Sequence, residues 1–290
     1  MAGQRKSRPV RRSSGSGDVF IPVIIILLGI TILSLLIAFV WQKWQDKFDP
    51  DSNYPTSHYT PPESSSSESS SQPESSSEPE SSAVEFGSPV PESDRVTSAY
   101  FDDAIFIGDS LTTGIQLYNI LPDTTVLAAV GVGLDNIYTM EAVGTEGNKQ
   151  TILEAADQLQ PSKIYVMLGI NGLKGLGADQ TVESYRKLVE HLKQAHPDSI
   201  IYVQSFMPIN EEKFKANYGY DLTNAEIDEC NKKLMAMAGE EQVYYVDVAS
   251  AIKDSTGGLP AEFTTDGLHF KGEYYNKWID YLKEHTVPEA

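Results

Sequence analysis

Five short apolar runs, separated by longer amphipathic stretches, set the tightest limit on how this chain can fold. Ala104-Ile105-Phe106-Ile107 leads into Gly108. Thr125 to Val130, Lys163 to Leu168, Ile200 to Ser205 and Val243 to Asp247 follow. Each run is continuous and rich in β-branched or aromatic residues, the pattern of a strand covered on both faces. The intervening stretches change period. Thr181 to Ala195 sets Val182, Tyr185, Leu188, Val189 and Leu192 at helical spacing. Ala225 to Ala238 does the same with Ile227, Leu234 and Met237, and Glu273 to Lys283 forms the last such segment. Strands alternating with helices predict an α/β fold with a parallel sheet and helices on both faces. No internal repeat is present.

Only part of the 290 residues fits that scheme. Residues 19–41, Val19 to Trp41, form an uncharged apolar run of about 23 residues, long enough to span a bilayer as a helix. A cleavable signal peptide is the rival reading, but its apolar region is usually ~7–15 residues and ends in small residues. This run ends in Val40-Trp41-Gln42-Lys43-Trp44, with aromatic side chains suited to the interface. Residues 1–18 carry Arg5, Lys6, Arg8, Arg11 and Arg12 against Asp18 alone, so the positive-inside rule predicts a cytoplasmic N-terminus and an extracellular remainder. Residues 42–98 are dominated by Ser, Glu and Pro, which offer little apolar surface to offset the entropy of ordering. They read as a disordered linker, either a generic tether or a spacer that holds residues 99–290 away from the membrane. Cys230 is the single cysteine and allows no intramolecular disulfide, so the domain must rest on its own core. A net charge of −19 excludes a nucleic-acid backbone as partner, and no Cys/His cluster suggests a metal or cofactor.

Four motifs follow the apolar runs, where ligands bind in parallel α/β sheets. Gly108-Asp109-Ser110-Leu111 follows the first. A glycine and a helix cap are common structural features there, yet a serine at a helix start also presents its hydroxyl to a pocket and its N–H to developing negative charge. Gly131 and Gly133 follow the second run and Gly169-Ile170-Asn171 the third. Asn171 could simply stabilise a turn, or its amide could donate to an oxyanion. Gly133 could bring a backbone N–H to the same point, with Gly131 and Leu134 as competitors. Asp266-Gly267-Leu268-His269 follows the fifth run. Of the five histidines, His58 lies in the linker and His191, His196 and His285 sit in or beside helical segments. His269 alone has a carboxylate three residues before it in a loop after a strand, although Asp266 could also merely cap the next helix. Together the motifs supply a nucleophile, oxyanion donors and a base with its orienting acid, the requirements of acyl transfer through a serine ester.

The order Ser, Gly, Asn, then Asp-x-x-His resembles the SGNH (GDSL-type) hydrolase superfamily over about Ala99 to His285. The resemblance implies a flavodoxin-like three-layer sandwich with a five-stranded parallel sheet, and a serine ester hydrolase without cofactor or metal. It makes Ser110 the nucleophile, Asp266 and His269 its triad partners, and Ser110, Gly133 and Asn171 the oxyanion donors. The chain departs from the family's frequent Gly-x-Asn-Asp at Gly172. The expected function is an extracytoplasmic, membrane-anchored esterase that hydrolyses or transfers acyl groups, its substrates O-acetyl esters of envelope glycans or lipid-linked acyl esters. The alternative is a non-catalytic glycan- or peptide-binding domain on a stalk. Phe214, Tyr218 and Tyr220, within Met207 to Leu222, are expected to wall a pocket or to pack as an ordinary loop. The glycines from Gly172 to Gly177 are expected to form a movable loop.

Overall fold

The computed structural model describes residues 84–288. The basic N-terminus, the expected transmembrane anchor and residues 42–83 of the expected linker lie outside the described residues. The strands are β1 (Ala104–Gly108), β2 (Thr125–Ala128), β3 (Val143–Thr145), β4 (Asn148–Gln150), β5 (Lys163–Met167), β6 (Ile200–Gln204) and β7 (Tyr244–Val246). The helices are α1 (Ser110–Leu117), α2 (Ile152–Ala156), α3 (Ile170–Ala195), α4 (Glu211–Tyr218), α5 (Asn224–Glu240) and α6 (Gly272–Lys283).

Five strands pair in the order β2-β1-β5-β6-β7, all parallel. β3 and β4 form a separate antiparallel hairpin. The right-handed crossover rule puts α1 on one face, because β1 to β2 steps one way along the sheet, and α3 and α5 on the other, because β5 to β6 to β7 steps the opposite way. α6 returns to the α1 face, where the Tyr275 hydroxyl donates to the Leu111 carbonyl at 2.9 Å. The order of the sheet thus reverses between β1 and β5, the position at which such sheets open a crevice beyond their carboxyl ends.

β1 and β5 are buried at every residue. Register aligns one aromatic level across four strands: Phe106 faces Tyr165, Tyr165 faces Tyr202, and Tyr202 faces Tyr244. Tyr165 stacks between Phe106 and Tyr202, with ring centroids 4.7 and 4.5 Å away. Aromatic pairs of this kind contribute about 0.5–1.5 kcal/mol beyond their burial. β2 departs from the expectation of two covered faces. It forms one edge of the sheet and is exposed at Thr125 and half-buried beyond.

The opposite edge corrects the domain boundary. Pro89 pairs in parallel with Tyr245, and the Val90 N–H donates to the Tyr245 carbonyl at 2.8 Å. Val90 is fully buried, and Ser93 and Val96 donate backbone N–H groups to Glu284 and Lys283. Residues 84–98 are therefore part of the folded domain rather than of the linker, because they satisfy the otherwise open edge of β7. The helix expected from Thr181 is also longer. α3 begins at Ile170 and is interrupted only at Gly177, where φ is 73° and ψ 167°. Ile170 and Leu173 are buried, and this tertiary anchoring overrides the weak helix propensity of Gly172 and Gly175. Among the described residues no helix is long and apolar enough to cross a membrane.

Candidate active site

Ser110 is the first residue of α1, and Asp109 is its N-cap, accepting from the Leu111 N–H at 3.0 Å. The sequence folds this way because Gly108 lets α1 turn back onto the sheet. A Cβ at Gly108 would stand 2.0 Å from Thr112 Oγ1 and 2.6 Å from the Met167 carbonyl oxygen. Asp109 is buried, and that burial raises its carboxyl from 3.8 to about 6 against the opposing pull of the Leu111 N–H and the His269 charge. The half-buried Ser110 side chain is left facing His269.

His269 Nε2 lies 2.8 Å from Ser110 Oγ, and His269 Nδ1 lies 2.7 Å from Asp266 Oδ2. The tautomer with its proton on Nδ1 satisfies both contacts, donating to Asp266 and accepting from Ser110. The other oxygen, Asp266 Oδ1, accepts from the backbone N–H groups of Leu268 and His269, each at 2.9 Å, and from Thr264 Oγ1 at 3.2 Å. Partial burial pushes the Asp266 carboxyl up, but the hydrogen bonds from the His269 ring and the two backbone N–H groups outweigh it and hold the group well below the usual carboxylate range. Asp266 stays ionised and fixes the ring.

The second and third motifs meet each other. Asn171, in the first turn of α3, uses one of its two amide hydrogens on the Val132 carbonyl at 3.2 Å. The Gly133 N–H already donates to Asn136 Oδ1 at 2.8 Å, and Asn136 Nδ2 donates back to the Gly131 carbonyl at 3.0 Å. Asn136 thus braces the loop from both sides. Gly131 has φ +82° and no neighbour within 4 Å of an added Cβ. Leu134 is buried in the core. Of the aromatic segment, Phe214 and Tyr218 lie on the helix α4 and Tyr220 in the loop after it. Phe214 is buried, Tyr218 and Tyr220 are exposed, and the Tyr218 hydroxyl donates to Asp266 Oδ2 at 3.0 Å.

Sequence reasoning missed Asn136 and the contact of Tyr218 with the acid. An Asn three residues after Gly133 in a loop between strands was the available signal for the first. Nothing local signalled the second, since 48 positions separate the two residues. A polar concavity of about 530 Å³ lies elsewhere, bounded by Asn210, Asn224, Asp228 and Asp254, and neither Ser110 nor His269 lines it. Among the described residues no group of His, Cys, Asp and Glu is arranged to hold a metal ion.

Comparison with known proteins bears on this geometry. The model of the GDSL-like lipase/acylhydrolase family matches residues 106–277, which include Ser110, Gly133, Asn171, Asp266 and His269. An isoamyl acetate-hydrolyzing esterase of Saccharomyces cerevisiae is 25% identical over 201 residues, 63% of this chain and 84% of that protein. Among solved structures, one from Streptococcus pneumonia, provisionally described as a platelet activating factor, overlaps with a TM-score of 0.52 at 22% identity and shares the fold. The overlap covers 64% of this chain and 89% of that one. A GDSL-like lipase from Bacteroides thetaiotaomicron overlaps with a TM-score of 0.47 at 15% identity, over 63% and 84% of the two chains.

Proposed function

Because this chain belongs to the GDSL-like lipase/acylhydrolase family, we propose that it cleaves carboxylic esters through an acyl-enzyme on Ser110. The observation that carries the proposal is the unbroken line from Ser110 Oγ through the His269 ring to Asp266, with contacts of 2.8 and 2.7 Å. Ser110 Oγ attacks the ester carbonyl while its proton passes to His269 Nε2. The carbonyl oxygen becomes an oxyanion, met by the Ser110 backbone N–H at the start of α1 and by the Asn171 amide. The Gly133 N–H joins them by sharing or releasing its bond to Asn136. His269 then returns the proton to the departing alkoxide, and water repeats the sequence in reverse roles to release the acid. Transfer of the acyl group to a sugar hydroxyl uses the same residues.

The substrate reading rests on the rest of the sequence. An uncharged run of spanning length with basic residues before it supports an enzyme anchored in the membrane and facing outward. Esters of the envelope, O-acetylated glycans or lipid-linked acyl groups, are then within reach of the site. The acetate ester in the yeast relative's name supports placing short acyl groups first in any panel.

The test is direct. The full chain, offered p-nitrophenyl esters from acetyl to long acyl and an O-acetylated glycan, should turn over at least one class. A fluorophosphonate should label Ser110, and Ser110→Ala should lose labelling and turnover together. Turnover that survives Ser110→Ala would refute the acyl-enzyme. For topology, protease added to intact cells should cut the Ser/Glu-rich segment and release the domain; resistance until lysis would refute the outward orientation.

A further inference from the structure

The triad carboxylate has a partner that the acyl-enzyme scheme leaves unused. Tyr218 is the last residue of α4, and its hydroxyl lies 3.0 Å from Asp266 Oδ2, the same oxygen that holds His269 Nδ1, and 3.4 Å from Nδ1 itself. While Nδ1 carries its proton it cannot accept, so the Tyr218 proton goes to the carboxylate. We propose that Tyr218 is a positioning residue for the Asp266–His269 pair. Its hydroxyl fixes the rotation of the carboxylate and draws charge from the oxygen on which the imidazolium depends.

The surroundings of Tyr218 make it part of the same rigid piece as the acid. Its ring packs on buried Phe214, with centroids 4.6 Å apart, and Tyr220 meets Phe214 edge-on at 5.2 Å. α4 is tied to the turn that carries Asp266. The Asn210 N–H donates to the Gly267 carbonyl at 2.9 Å, and Lys213 Nζ donates to the Thr264 carbonyl at 2.7 Å. The contact is so close that a Cβ at Gly267 would lie 2.2 Å from the Phe214 nitrogen. Partial burial and the neighbouring Asp266 charge also push the Tyr218 hydroxyl up, so it remains a neutral donor through the working range. Asp109 at the start of α1 acts on His269, Tyr275 on α6 acts on Asp266, and Tyr220 after α4 acts on Tyr218. A change confined to the Tyr218 oxygen leaves all of them in place.

This inference rests on the acylhydrolase reading, and Tyr218→Phe in the full chain separates the two. The ring and its packing remain, so Tm should be unchanged. With p-nitrophenyl acetate, kcat should fall about 2- to 10-fold, the scale of one hydrogen bond, with KM little changed. Without the tyrosine proton, Asp266 holds the imidazolium more strongly. His269 works as a base only when neutral, so the acid limb of kcat/KM should move to higher pH. The downfield proton resonance of His269 Nδ1 should titrate with a midpoint displaced in the same direction, a readout that needs no turnover. A lower kcat with an unmoved acid limb and an unmoved resonance would overturn the positioning role and leave simple packing. An absence of turnover in the unmodified protein, with the resonance displaced as expected, would overturn the acylhydrolase reading and keep the coupling of Tyr218 to the pair.

Discussion

At the scale of single residues, Asn171 and Asn136 spend their side-chain amides differently. Asn171 has a side-chain hydrogen left to aim at an oxyanion, whereas Asn136 spends its amide on the loop carrying Gly133. Asn171→Ala should therefore lower kcat by about 10²–10³-fold with little change in KM, the effect of one lost oxyanion donor. Asn136→Ala releases the Gly133 N–H but also frees the loop, and should lower kcat by about 10-fold or less. Steady-state kinetics of the two variants on one ester checks the order, and equal losses would mean that the brace counts as much as the donor. Ser110, Asp266 and His269 were legible as a set because each follows an apolar run at the same edge of the sheet. The position of the Gly133 N–H was not legible, since an acceptor three residues away decides it.

Among the elements, α4 is the one whose importance its own sequence conceals. Glu211-Glu212-Lys213-Phe214-Lys215-Ala216-Asn217-Tyr218 buries a single apolar side chain, so no helical period marks it. Its start is set by Asn210, whose side chain accepts from the Lys213 N–H, and its end by Gly219 in the left-handed conformation. What fixes it in place is Gly267, with φ +93° and the Phe214 backbone where a side chain would go. Gly267→Ala would meet both a disfavoured backbone conformation and a clash with main chain, together about 2–4 kcal/mol, or roughly 5–15 °C of Tm for a domain near 200 residues. Turnover should fall with it, because the displaced turn carries Asp266. Thermal denaturation alongside an ester assay tests this; a variant of unchanged Tm would mean that α4 yields easily. The strands of the main sheet, by contrast, were legible nearly to their ends. Their runs are continuous and their partners lie on both sides, except at β2, whose place on the edge no local pattern reveals.

For the molecule as a whole, two acids, Asp266 half-buried and Asp109 buried, pull stability in opposite directions with pH. Asp266 is held low by its hydrogen bonds and contributes stability above its ordinary range that is lost under acid conditions. Asp109 is raised to about 6 by burial, so the folded state binds its proton more tightly than the unfolded chain does. Its contribution is fully present below about pH 4 and is lost as pH rises to about 6. Asp109→Asn keeps a good N-cap and removes the titration. The difference in unfolding free energy between the two proteins should therefore shift in favour of the variant across that window, as urea titrations at several pH values would register; a constant difference would refute the burial effect. Composition marks the domain's true beginning only by a change of degree. Residues 84–98 keep Ser, Glu and Pro at seven of fifteen positions but add Val84, Phe86, Val90 and Val96, and the buried Val90 and the pairing with β7 draw them into the fold. That pairing has a mechanical meaning. A pull arriving along the chain ahead of residue 84 is received by a segment lying parallel to β7 and fastened further on by Ser93 and Val96 at the far end of α6. The Val90 bond to Tyr245 and then the two bonds to the end of α6 are met in turn along the segment. Tension would thus be absorbed at the flank and base of the sheet before it reached the loops around Ser110.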